Sequence, residues 1–153
     1  MLKKIFIIVI LLILGGVLYL AYNMETQPLA GYDTKLIRVG NAELSVFVAD
    51  TQEKRTQGLM NVSEFEADSG MLFIFPNASL RTFWNKNTLL PLDLIWISDG
   101  KVVGVSNLPS ISQSNNQIVS VPSPRAIDQV VEVNAGWVSA HGIGVGDDIT
   151  SGE

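Results

Sequence analysis

The sequence predicts an α+β fold that is mainly β: a compact, barrel-like, mostly antiparallel sheet with two short helices, preceded by one transmembrane helix. Three observations predict it. Beyond residue 33, about eight short apolar runs follow one another at close spacing, separated by Gly, Asn, Asp and Pro turn signals. Only two stretches of that region carry helix-start and helix-stop signals, and both are short. At the N-terminus, residues 5–22, IFIIVILLILGGVLYLAY, contain no charge.

That first segment is about 27 Å long as a helix at roughly 1.5 Å per residue, close to the hydrocarbon thickness of a bilayer. Lys3 and Lys4 precede it, and Glu25 and Asp33 are the first charges after it. The positive-inside bias therefore predicts a cytoplasmic tip at 1–4, a signal-anchor at 5–22, a linker at 23–33 and an extracytoplasmic domain at 34–153. A cleaved signal peptide is the rival, but Tyr19-Leu20-Ala21 and Pro28-Leu29-Ala30 each put the wrong residue at the first position of a cleavage site. Tyr19 and Tyr22 suit the interface. The bilayer is thus the first expected partner.

In the domain, TKLIRV and AELSVFVAD flank Gly40-Asn41 and predict a hairpin, with Leu44, Val46 and Val48 alternating against Glu43, Ser45 and Phe47. Asp50 with Glu53 three residues on is a capping-box-like start for the short helix TQEKRTQ, and Gly58 is its stop. GMLFIF reads as a strand closed by Pro76 and Asn77, and LRTFW as another. LDLIWIS and KVVGVS surround Asp99-Gly100, the strongest hairpin signal in the chain. Residues 109–117, PSISQSNNQ, read as a surface loop, followed by IVSV and then QVVEVN as strands. AGWVSAH before Gly142 is the second helix, and a Gly-Asp turn leads to a last strand.

Composition removes several function classes. Beyond Glu25 the chain has eight Lys and Arg against fourteen Asp and Glu, a net charge of −6, so no clustered positive charge invites nucleic acid. With no cysteine, disulfides, thiol chemistry, cysteine metal sites and a lipoprotein anchor are all excluded. The common nucleophile-elbow, zinc-protease, phosphate-loop and dinucleotide signatures are missing, and neither a cofactor nor a metal is expected. His141, the only histidine, precedes Gly142, where a histidine stabilises terminal helix carbonyls. Glu64, Glu66, Asp68, Asp147 and Asp148 lack calcium-loop periodicity and read as solvated surface.

Residues 81–93, RTFWNKNTLLPLD, differ in kind. Phe83 and Trp84 are followed by an amide, an ammonium, another amide and a hydroxyl, then a proline turn and the carboxylate of Asp93 among leucines. Stacking surface beside converging donors and acceptors suits a polar ligand, sugars especially. The alternative is structural: Asn85, Asn87 and Thr88 form a turn, and Asp93 takes Lys86 or Arg55 as its partner.

The motifs VFVADTQEKRTQGLM, DSGMLFIF, FWNKNTLLPLDLIWISDGKVV and VVEVNAGWVSAHGIGVGDDI, in that order over residues 42–149, resemble those of the domain of unknown function 192 family. The resemblance implies a single β-rich α+β domain, often exported, with no settled activity. The family's characteristic positions are matched by Arg55, Gly58, Leu59, Met60, Gly70, Met71, Phe83, Trp84, Lys86, Asn87, Thr88, Pro91, Asp93 and Gly136. One position departs: Asn85 stands where the family pattern usually has Met. A buried Asn85 must be hydrogen-bonded, since an unpaired amide costs about 1–3 kcal/mol.

The expectation is an envelope domain that binds a small polar, saccharide-like ligand through Arg55, Phe83, Trp84, Lys86, Asn87, Thr88 and Asp93. Two other readings stand beside it. One is an envelope hydrolase or lyase using Asp93 as acid or base with Lys86 tuning it, which for glycosides requires a second carboxylate. The other is a protein-interaction module in which Trp84 forms an exposed patch with Trp96 or Trp137.

Overall fold

A computed structural model describes the backbone of residues 2–25 and 28–152, with side-chain burial for 7–19 and 28–152. The chain divides into two compact units, Met1–Ala30 and Gly31–Glu153. In the first unit, helix α1 runs Leu2–Glu25, and the described side chains on it are exposed apolar groups such as Leu12 and Leu18. Among the described residues no helix is long and apolar enough to cross a membrane. Crossing takes about 20 apolar residues, and the side chains of 5, 6 and 20–22 within the expected segment lie outside the described ones.

The second unit is mainly β. Strands β1 (Thr34–Val39) and β2 (Ala42–Ala49) form the expected hairpin, and helix α2 (Gln52–Gln57) follows. Its N-cap is Thr51, which accepts from Lys54 N at 3.2 Å, one residue later than the Asp50 start read from the sequence. Gly58 ends it with φ 48°, its N–H donating to Lys54 O. Strand β3 (Ser69–Ser79) continues beyond the predicted stop at Pro76. Its pairing with β8 (Ile127–Asn134) shifts register between Ile74 and Ser79, so the proline falls in an irregularity where no ladder donor is needed.

Strands β5 (Leu92–Ser98) and β6 (Lys101–Leu108) form the second hairpin around Asp99 and Gly100, whose φ values of 55° and 70° are those a tight primed turn demands. Strands β4 (Thr82–Trp84) and β7 (Ser120–Pro122) make a separate two-stranded ribbon. Helix α3 (Trp137–His141) and strand β9 (Ile149–Ser151) complete the chain. The main sheet has the order β6-β5-β8-β3-β2-β1-β9. All its pairs are antiparallel except β2 with β3, which the α2 crossover makes parallel.

This sheet curls into a half-barrel. The turn before β9 reaches the start of β6, with Val102 N donating to Asp147 O at 2.8 Å and Gly146 N to Val102 O at 2.9 Å. Alternation along the central strands gives two buried faces. Leu72, Ile95, Val131 and Val133 belong to the core cluster with Leu44, Val46 and Trp137. The intervening Met71, Phe73, Leu94, Trp96, Val130 and Glu132 are buried on the opposite face. The β4–β7 ribbon covers that second face, placing Phe83 edge-on to Phe73 at 4.9 Å and to Trp96 at 5.4 Å. The cover is close: a Cβ on Gly104 would lie 2.7 Å from Pro124 Cγ. Each fully buried aliphatic or aromatic side chain contributes about 1.5–3 kcal/mol, which lets a cysteine-free domain stand on its core.

Candidate functional site

Between the second sheet face and its cover the packing is incomplete, and a cavity of about 490 Å³ opens there. Helix α2 supplies one wall with Arg55, β3 another with Phe73 and Phe75, and the β4 segment a third with Arg81, Phe83, Trp84 and Lys86. Its size falls within the roughly 300–1,000 Å³ typical of small-molecule sites.

Phe83 is the pivot of the apolar side, since its ring also meets Phe75 at 6.5 Å, edge to face. Trp84, next in β4, points to the other side of the ribbon and is 47 % exposed at the mouth. Arg55 is oriented by its own neighbours, Nη1 donating to Asp50 O at 2.6 Å and to Ile74 O at 2.8 Å. Its guanidinium and that of Arg81 flank the Phe75 ring, with centroid distances of 5.5 and 4.2 Å. Arg81 donates through Nη2 to Asn77 O and Oδ1, whereas its buried Nε has no hydrogen-bond partner. Lys86 Nζ stands 5.5 Å from the Trp84 ring centroid.

Among the described residues one carboxyl lines the cavity, that of Glu132 on β8. The residue is only 5 % exposed, and among the described residues nothing donates to its carboxyl or pairs with it. Burial alone pushes its pKa up to about 8, so the group is a neutral acid at pH 7, with one hydrogen to donate and oxygens to accept. Buried carboxyls are ordinarily paired or hydrogen-bonded. Glu132 is therefore the most unusual titratable group in the domain.

Of the residues expected at a site, the fold brings Arg55, Phe83, Trp84, Lys86 and Thr88 to this cavity. Thr88 is buried and held by Thr88 N donating to Asn85 O at 3.1 Å. Asn87 is not a lining residue: it turns the chain at φ 53°, and its carbonyl accepts from Asn61 N. Asp93 lies on the core face of β5, buried, away from the cavity. Its partner is neither Lys86 nor Arg55. Oδ1 accepts from Asn107 Nδ2 at 2.7 Å, and Oδ2 from the backbone N–H groups of Gly136 and Val138 at 2.9 and 3.2 Å. Asp93 thus caps the first turn of α3 from a neighbouring strand, a use the backbone N–H groups of a helix start always require.

Asn85, the departure from the family pattern, is fully buried and hydrogen-bonded throughout. Nδ2 donates to Ser114 Oγ at 2.8 Å and Ser110 O at 3.4 Å, while Oδ1 accepts from Val119 N at 2.8 Å. Its amide ties the 110–119 loop to the ribbon instead of facing the cavity. The expected tryptophan patch is corrected: Trp96 and Trp137 are buried, their Nε1 groups donating to Ser106 Oγ and Asp68 Oδ1, which leaves Trp84 alone. His141 stacks on Trp137 at 4.2 Å, with Nδ1 2.9 Å from Trp137 O, in the helix-terminal position its sequence context predicts. Among the described residues, no group of three or more His, Cys, Asp or Glu is arranged to hold a metal ion.

Sequence reasoning passed over Glu132 and Arg81. Arg81 belongs to the conspicuous 81–93 stretch. Glu132 had its own signal, a single charge in QVVEVN with valines on both sides and no alternation to carry it outward.

Comparison with known proteins agrees with this fold. The profile of the family described as DUF192, Uncharacterized ACR, matches residues 35–151. A crystal structure from Sinorhizobium meliloti 1021, described as a candidate transcription regulator, is similar with TM-score 0.72 and 31 % identity, covering 78 % of this chain and 95 % of that one. A protein of unknown function from Novosphingobium aromaticivorans DSM 12444 is similar with TM-score 0.72 and 25 % identity, covering 81 % of this chain and 89 % of that one. No curated protein matches the chain.

Proposed function

The chain belongs to the DUF192 family, whose membership sets the fold and names no reaction, and from that premise we propose that its domain binds a small polar ligand in the cavity over Glu132 while α1 tethers it at a membrane. The observation that carries the binding reading is the Glu132 carboxyl, buried at the cavity without a protein partner. The carboxyl faces the cavity with a donor and an acceptor that no protein group uses, and a ligand hydroxyl or amide would take them up on binding. Phe83 and Trp84 supply the apolar surface, and Arg55, Lys86 and Thr88 the polar edge.

The membrane reading rests on the uncharged 5–22 segment, the Lys3–Lys4 pair before it, and a helix over Leu2–Glu25 whose described aliphatic side chains are exposed. The domain would then work outside the cytoplasm, in the envelope.

Hydrolysis of a glycosidic bond is less well supported, because among the described residues Glu132 is the one carboxyl lining the cavity and the reaction ordinarily uses two. A DNA-reading role, which the description of the Sinorhizobium relative raises, is disfavoured by the −6 charge of the domain.

Two measurements test the reading. A thermal-shift screen of the full chain in detergent against monosaccharides, nucleotides and organic acids is expected to find a ligand that raises the melting temperature of wild type but not of Glu132→Leu. Asp93→Asn should melt lower yet keep the ligand shift. Fractionation of cells expressing the full chain or residues 31–153 should place the first with membranes and the second in solution; equal solubility of the two would refute the tether.

A further inference from the structure

The charge lining the cavity opposes the charge of the domain around it. Among the described residues only Glu132 of the domain's fourteen acidic side chains lines the cavity, and of its eight basic ones three do: Arg55, Arg81 and Lys86. Among the described residues none of these three is ion-paired with a carboxylate. The contrast with Lys54 is direct: one residue before Arg55 on α2, it lies between Asp33 at 3.8 Å and Asp50 at 3.7 Å. Arg38 and Lys101 elsewhere also have carboxylate partners at 2.7 and 2.6 Å.

The cavity cations are instead held by carbonyls and rings, which orient a guanidinium without neutralising it. Arg55 is fixed by two backbone oxygens and Arg81 by Asn77, both beside Phe75, and Lys86 rests near Trp84. Arg81 Nε remains a buried donor with no acceptor. Clustered, oriented and unneutralised cations in a concave, partly dry site attract anions more strongly than the same charges on an open surface. Glu132 does not offset them, because a neutral carboxyl contributes a hydroxyl donor and a carbonyl acceptor, the complement of a ligand hydroxyl.

Resting on the binding reading above, we infer that the cavity is selective for a small organic anion: a carboxylate or phosphate held by Arg55, Arg81 and Lys86, on a hydroxyl-bearing ring that packs beside Trp84 and reaches Glu132. The anion supplies the charge that the three cations lack, and the ring hydroxyl the partner that Glu132 lacks. The net negative charge of the domain disfavours anions in general, so the three cations mark this cavity as the place for one.

Titration calorimetry of the full chain in a neutral detergent at low salt tests the inference with three probes of one ring type: D-glucuronate, D-glucose 6-phosphate and D-glucose. At least one anion is expected to bind about tenfold or more tightly than glucose, and which anion does so separates a carboxylate from a phosphate site. Lys86→Gln should weaken the anion about fivefold and glucose by clearly less, whereas Lys35→Gln should change neither. Lys86 is exposed and the one described contact of its side chain is the Trp84 ring, so the variant retains the fold. Anions and glucose binding equally, or Lys86→Gln weakening them equally, would overturn the anion selectivity while leaving the binding reading in place. Failure of all three probes to bind would overturn the inference, and an empty thermal-shift screen beside it would overturn the binding reading as well.

Discussion

Replacing Glu132 by Gln should make the protein more stable at neutral pH, by an amount that depends on pH in a defined way. The carboxyl is buried and burial alone pushes its pKa from 4.5 up to about 8. The folded state therefore holds a proton that the unfolded state releases above about pH 4.5. Because the folded pKa is the higher one, stability is greatest below pH 4.5, falls between pH 4.5 and 8, and levels off above 8. Each pH unit in that window costs about 1.4 kcal/mol, so the penalty is roughly 3 kcal/mol at pH 7 and about 5 kcal/mol at pH 9. Gln keeps the shape and one donor and one acceptor but carries no titrating proton. The difference between Glu132→Gln and wild type should then grow from under about 1 kcal/mol at pH 5 to about 5 kcal/mol at pH 9. For a domain of this size 3 kcal/mol is on the order of 10 °C in melting temperature. The assay is thermal unfolding of both proteins, followed by circular dichroism at pH 5, 7 and 9. Taking the difference cancels the other titrating groups. Melting curves that stay parallel from pH 5 to pH 9 would refute the reasoning.

Three further outcomes follow from the same structure. Asn85→Met, which restores the residue usual in the family, removes the hydrogen bonds to Ser114, Ser110 and Val119 and should lower stability by about 1–3 kcal/mol, with faster amide exchange confined to residues 110–119. Asp93→Ala leaves the Gly136 and Val138 N–H groups and the Asn107 amide without their acceptor and should cost about 3–5 kcal/mol in chemical denaturation; a loss under 1 kcal/mol would count against its capping role. Phe83→Ala removes the ring between Phe73, Phe75 and Trp96, and a fall of about 3–5 kcal/mol is expected, with the Trp96 fluorescence shifted to the red.

The fold was largely legible because its elements are marked locally. Gly40-Asn41 and Asp99-Gly100 name their hairpins, and Gly58 and Gly142 stop their helices with positive φ. What local marks do not carry is partnership. LRTFW reads as a strand wherever it pairs, and nothing in it says that β4 leaves the main sheet to lie across it with β7. Likewise the parallel match of β2 with β3 is decided by where the α2 crossover returns the chain, a long-range choice that neither strand encodes alone.

The site divides along the same line. Phe83, Trp84 and Lys86 were legible because the β4 segment concentrates chemically unlike residues, and the fold turns that concentration toward a cavity. Asp93 was drawn in by the same proximity, yet two-residue alternation along β5 sends it to the core face, where α3 needs an acceptor. Glu132 is distant in sequence and joins them through β8, the strand that pairs with both β3 and β5. A lone glutamate among valines in such a strand is shut off from bulk solvent on both faces except at the cavity, and must be paired, protonated or matched there by water or a ligand. Among the described residues it has no partner and burial keeps it protonated, a costly arrangement that a purely structural position could avoid with leucine or glutamine. That cost argues for a task at Glu132: stability given up at a position open to a cavity is what a binding group requires and a packing group does not.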